Sequence, residues 1–93
     1  MKTKTIFRIH RGEVIALFPE IPATVTGRDC ESYMHTGQHG AACPNLARYG
    51  FRLATPEEYA PLAAELARIG YELEIRQKIT PAMTRARYAA ARA

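Results

Sequence analysis

The run Val14-Ile15-Ala16-Leu17-Phe18 constrains this chain most. Five consecutive apolar residues, β-branched at the start, read as a strand buried on both faces. Such a strand must be central in its sheet and needs cover above and below. Just before it, Lys4 to His10 alternates: Thr5, Phe7 and Ile9 share one face, Lys4, Arg8 and His10 the other. Arg11-Gly12 between the two runs reads as a tight hairpin turn. Pro19 and Pro22 are expected to end the central strand, because proline donates no ladder hydrogen bond. Thr24 to Asp29, with Gly27, is a polar connection.

The rest of the chain supplies the cover. Cys30–Thr36 is a third strand with a weak pattern, Gly37-Gln38-His39-Gly40 turns the chain, and Arg48–Leu53 alternates as a fourth strand. Thr55, Pro56 and Glu58 then make an N-cap, a first-turn proline and a capping box. Tyr59, Leu62, Ala63, Leu66 and Ile69 recur at helical spacing, so residues 56–69 form a helix stopped by Gly70. Its stripe is the expected cover for Val14, Leu17, Leu73 and Ile75. Residues 71–77 alternate as a half-buried strand, and Thr80-Pro81 starts a second helix running to Ala93. The expected fold is α+β, in the order β-β-β-β-α-β-α. It has a small, mostly antiparallel sheet, one helix on a face and a basic C-terminal helix. With 93 residues, no repeat and no linker, residues 1–93 are expected to form a single domain.

Charge is distributed unevenly. Lys2, Lys4, Arg8 and Arg11 open the chain without an acid, and Arg76, Lys78, Arg85, Arg87 and Arg92 close it the same way. All nine acids lie between Glu13 and Glu74. Basic ends around an acidic middle point to nucleic acid or an acidic protein face; the plainer reading is that solvated termini collect Lys and Arg. No apolar signal core follows the N-terminus and no run is long enough to span a membrane. Two cysteines without a secretory signal are expected to stay reduced, and the expected location is cytoplasmic.

Two segments carry polar residues in suggestive patterns. Cys30, His35, His39 and Cys43 are zinc-type ligands, but their C-x4-H-x3-H-x3-C spacing fits no common finger. The expectation is no bound metal, with the cysteines as small hydrophobes and the histidines in local hydrogen bonds. Histidine beside serine or cysteine also raises acyl transfer, yet there is no nucleophile elbow, phosphate loop or dinucleotide fingerprint. Neither an enzyme nor a cofactor is expected. Recognition suits the loop better, with His35, Gln38 and His39 as its candidate residues. In the C-terminal helix, Arg85, Tyr88 and Arg92 fall at i, i+3 and i+7, and Arg87 adds a fourth candidate. This set reads as a contact for phosphates or an acidic groove; the alternatives are a frayed tail or a helix docked on its own sheet.

Several phrases together resemble a group of small proteins carried by bacterial mobile elements (phage, plasmid or conjugative element). They are Phe7-Arg8, the run Gly12–Ala23, Ser32-Tyr33-Met34-His35, the run Gly37–Ala42, and Ala54-Thr55-Pro56-Glu57-Glu58-Tyr59. The resemblance covers most of residues 6–79 and implies a setting, with no catalytic residues to carry over. By analogy, small proteins of such elements include regulators and inhibitors of host defence, anti-CRISPR proteins among them. The expected function is therefore non-enzymatic binding or regulation through a protein or nucleoprotein partner, with no membrane partner. The alternative is direct nucleic-acid binding by the basic ends, and third comes a zinc module or enzyme centred on Cys30, His35, His39 and Cys43.

Overall fold

The computed structural model describes residues 2–93. Strands β1 (Thr3–His10) and β2 (Glu13–Pro22) form the first hairpin, with Arg11 and Gly12 at φ of 52° and 79°. Positive φ at both turn residues matches the right-handed twist of the strands it joins. A second hairpin, β3 (Cys30–Met34) and β4 (Gln38–Ala42), leads through a 3-10 turn at Leu46–Tyr49 to the two-residue β5 (Arg52–Leu53). Helix α1 (Pro56–Arg68), β6 (Leu73–Arg76) and α2 (Pro81–Arg92) complete the chain. The sheet runs β4-β3-β2-β1, and the outer side of β1 is shared between β5 and β6. Only β6 is parallel to its neighbour; the other pairings are antiparallel. The fold is α+β with a mostly antiparallel sheet and two helices, as expected.

Alternation along β2 feeds two cores. Ala16 and Phe18 join Phe7, Ile9, Tyr33, Leu62 and Leu66 beneath α1, with Val14, Tyr59 and Leu73 packed alongside. Ile15 and Leu17 join Ile6 and Cys30 on the other side, edged by Leu46, Phe51, Leu53 and Ile79. Phe7 stacks on Tyr59 with ring centroids 4.5 Å apart. The capping box of α1 is complete: Thr55 Oγ1 accepts from the Glu58 amide, and Glu58 Oε1 accepts from the Thr55 amide at 2.9 Å. Arg52 grips the same carboxylate with both terminal nitrogens, at 2.8 and 2.6 Å. That guanidinium, then the Thr55 amide, holds the Glu58 pKa down to about 2.

Several local expectations are corrected. The third strand stops at Met34, and the expected Gly37–Gly40 turn is mostly strand: only Gly37 has positive φ, and β4 starts at Gln38. Arg48–Leu53 yields a 3-10 turn and two strand residues in place of a full strand. Pro22 is the last residue of β2, as expected, but Pro19 does not end the strand. Pro19 lies beyond the last β1 pair at Leu17, within an irregularity between Phe18 and Pro22 where the register against β3 shifts, so no donor is needed there. Leu17 sits in the core away from α1, and Ile75 is exposed, so neither is covered by the α1 stripe.

Candidate functional site

Helix α2 is docked on the sheet through a buried arginine, with a buried methionine beside it. At about 100° per residue, Arg87 lies about 200° around the helix from Arg85, on the side of Met83 and Ala91. It is 3% exposed, and Met83 is buried with it. Arg87 Nε donates to the Gly27 carbonyl at 2.7 Å and Nη1 to the Pro19 carbonyl at 2.9 Å. Both acceptors come from the β2–β3 side of the molecule, 60 and 68 residues away in sequence. Gly27 makes the approach possible. It is buried at φ of 80°, and a Cβ there would stand 3.0 Å from Ala91 Cβ and 3.2 Å from Tyr88 Cδ1. Arg87 is therefore an internal fastener, and its place among the binding candidates is corrected.

Elsewhere on α2, Arg85 and Arg92 face outward on the side opposite Arg87, and Tyr88 lies on the flank toward the 24–29 loop. Arg85, Tyr88 and Arg92 are exposed, with no acid in the helix to offset them. Tyr88 is 36% exposed, and its ring centroid lies 5.5 Å from the Arg87 guanidinium carbon. A groove of about 330 Å³ separates α2 from the 24–29 loop, lined by Tyr88, Thr24, Thr26, Arg28 and Asp29. Arg28 thus joins the stripe across a fold boundary. No local spacing links residue 28 to residue 88, so sequence reasoning missed it.

Other terminal bases are engaged within the fold. Lys4 Nζ bonds Glu20 Oε2 at 3.1 Å, and Arg76 pairs with Glu74, whose carboxyl it holds below the usual carboxylate range. The two basic ends therefore do not offer all their charges to a partner.

The β3–β4 hairpin holds the second cluster. His39 pairs with Tyr33 in the ladder, on the α1 side. Its Nε2 hydrogen-bonds the Tyr71 hydroxyl at 2.9 Å, and its ring centroid lies 4.8 Å from that of Tyr33. The Tyr33 hydroxyl donates to the Glu65 carboxylate of α1, a bond that raises the Tyr33 pKa. Tyr71 stacks on Phe18 at 5.0 Å and is pushed up by burial and then by Glu31. His35 and Gln38 are exposed at the hairpin end. Glu65 and Tyr71 were missed as partners of Tyr33 and His39 because each lies 32 residues away in sequence, beyond any local pattern.

Strand parity separates the groups that chemistry would need together. Ser32 faces Gly40 across the ladder and its hydroxyl donates to the Gly40 carbonyl at 2.7 Å, on the face opposite His39. Cys30 is buried in the second core, and desolvation pushes its thiol up to about 11. Cys43 lies half-buried just past β4, and His35 is in the turn. Among the described residues, no three His, Cys, Asp or Glu side chains converge as a metal site. No helix among them is long and apolar enough to cross a membrane. No family model, curated protein or solved structure matches the chain.

Proposed function

We propose that this chain is a small, non-enzymatic binding protein of regulatory type, contacting an acidic surface of a protein partner through Arg85, Tyr88, Arg92 and Arg28. The observation that carries this reading is the division of labour on α2. Arg87 fastens the helix to two buried carbonyls, while Arg85 and Arg92 face outward on the opposite side and Tyr88 is exposed on the flank beside the 24–29 loop. A helix already fixed in place loses little conformational freedom on binding, and tyrosine and arginine are the side chains that anchor interfaces. The resemblance to mobile-element proteins gives the reading a setting inside a bacterial cell, as a regulator or an inhibitor of host defence of the anti-CRISPR kind.

Direct nucleic-acid binding is the rival reading, and the exposed arginines are the observation in its favour. It is weakened by Lys4, Arg76 and Arg87, whose charges are held within the fold. Affinity capture from the native host, with and without nuclease, separates the two. Capture that survives digestion and fails in Arg85→Ala/Arg92→Ala and in Tyr88→Ala is the expected result. Submicromolar duplex DNA binding at physiological salt, with log affinity falling by about 0.9 per log salt for each phosphate contact, would establish the rival. Arg87 is left intact in both variants, because its removal would disturb the fold itself.

A further inference from the structure

The two edges of the sheet are built differently. One edge is formed by β5 and β6, of two and four residues, and carries Arg52, Glu74 and Arg76. Short, charged strands of this kind discourage pairing with another chain. The other edge is β4, Gln38-His39-Gly40-Ala41-Ala42, exposed from Gln38 to Ala41. It has no proline, no Lys, Arg, Asp or Glu, and no register shift against β3. Among the described residues its only ladder partner is β3. An antiparallel ladder turns alternate backbone groups to opposite sides, so part of the β4 backbone points away from β3.

We propose that β4 pairs with β4 of a second copy of this chain, antiparallel about a two-fold axis at Gly40, joining the two sheets into one. The strand is self-complementary in that register. Gln38 faces Ala42, His39 faces Ala41 and Gly40 faces Gly40, so all five residues pair and a small residue stands opposite each large one. Centring the axis on His39 instead shortens the overlap and sets two imidazoles against each other. Charge agrees with the Gly40 register. Glu31 lies beside Ala41 in the β3–β4 ladder, on the face that carries His39. At about 4.8 Å between strands, Glu31 and His39 of the second copy flank a single alanine methyl, and symmetry repeats this acid–imidazole arrangement. The contact is isologous and closes after two copies. It is independent of the α2 surface.

Gly40→Lys tests it. A Cβ at Gly40 meets nothing within 4 Å, and Gly40 is not among the positive-φ glycines, so the single chain accommodates the substitution. In the paired state it sets two ammonium groups directly opposite each other. The full chain should sediment as a dimer increasingly from micromolar to millimolar concentration, with amide exchange at residues 38–42 slowing in step. Gly40→Lys should weaken the association by roughly fivefold, the effect of about one unfavourable cross-strand pair. A wild-type chain monomeric through the millimolar range would overturn the proposal. So would undiminished association of Gly40→Lys, or exchange at 38–42 that ignores concentration. Should the variant unfold, the exchange measurement on the wild type decides alone.

Discussion

Helix α2 and the β3–β4 hairpin both carry exposed polar residues, yet the fold treats their hydrogen-bonding groups in opposite ways. On α2, the most deeply placed cation is used up: Arg87 serves two backbone carbonyls and only its neighbours on the far side face outward. At β4, no Lys, Arg, Asp or Glu is present, and among the described residues it is backbone that remains without a ladder partner on the outer side. The difference teaches that a charge counted in a sequence is not a charge available to a partner. It also shows that a segment without Lys, Arg, Asp or Glu can be the more open one.

The sharpest way to break the comparison is to remove the fastener. Arg87→Ala should lower stability by about 3–5 kcal/mol, because two buried carbonyls lose their donor and a buried side chain's volume is vacated. Arg85→Ala should stay within about 0.5 kcal/mol, as an exposed substitution does. Denaturant unfolding of both variants checks this, and equal effects would mean that α2 is not held as described.

One substitution made at two glycines gives a smaller contrast. Gly27→Ala forces a non-glycine residue to φ of 80° and pushes a methyl against Ala91 and Tyr88. It should cost about 2 kcal/mol. Gly40→Ala, in open space, should change stability by less than about 0.5 kcal/mol. Thermal unfolding that ranks them the other way would contradict the close approach of α2 to the 24–29 loop.

The smallest effect separates the two helix starts. Thr55 caps α1 with Glu58 in a reciprocal box, whereas Thr80 caps α2 with Met83 at the corresponding position and no acid in the first turn. Glu58 has a depressed pKa in the folded chain, so its contribution is fully present above its ordinary value of 4.5 and is lost as pH falls through about 2. The Thr55 amide resonance should hold steady from neutral pH to about 4 and shift only on approach to pH 2. A midpoint near 4.5 would show that the carboxylate is not held by Arg52.

What the sequence revealed follows the range of the interactions involved. Helix α1 was legible because its cap chemistry, Thr55, Pro56 and Glu58, lies within four residues. The two-sided burial of the Val14–Phe18 strand was legible because an unbroken apolar run puts apolar residues on both faces of a strand. The role of Arg87 was misread as outward binding, although its four-residue spacing from Met83 and from Ala91, on the side opposite Arg85, was the signal that could have shown it. Its acceptors, Pro19 and Gly27, are far away in sequence, and no local pattern announces them. Strand β4 was read as a turn because Gly37 and Gly40 look alike in a sequence, although only Gly37 uses its conformational freedom. Pro22 ends β2 as its chemistry requires, whereas Pro19 misled for a related reason, since the irregularity that tolerates it is a property of the pairing with β3.

The central claim is that α2 is held on the sheet by Arg87, with its basic stripe facing out. Native-state amide exchange in α2 tests this most directly. In the wild-type chain, the amides of residues 85–91 should be protected well above the level of an isolated helix, and Arg87→Ala should abolish that protection while α1 keeps its own. Exchange of residues 85–91 at unprotected rates in the wild type, or protection that survives Arg87→Ala, would contradict the account.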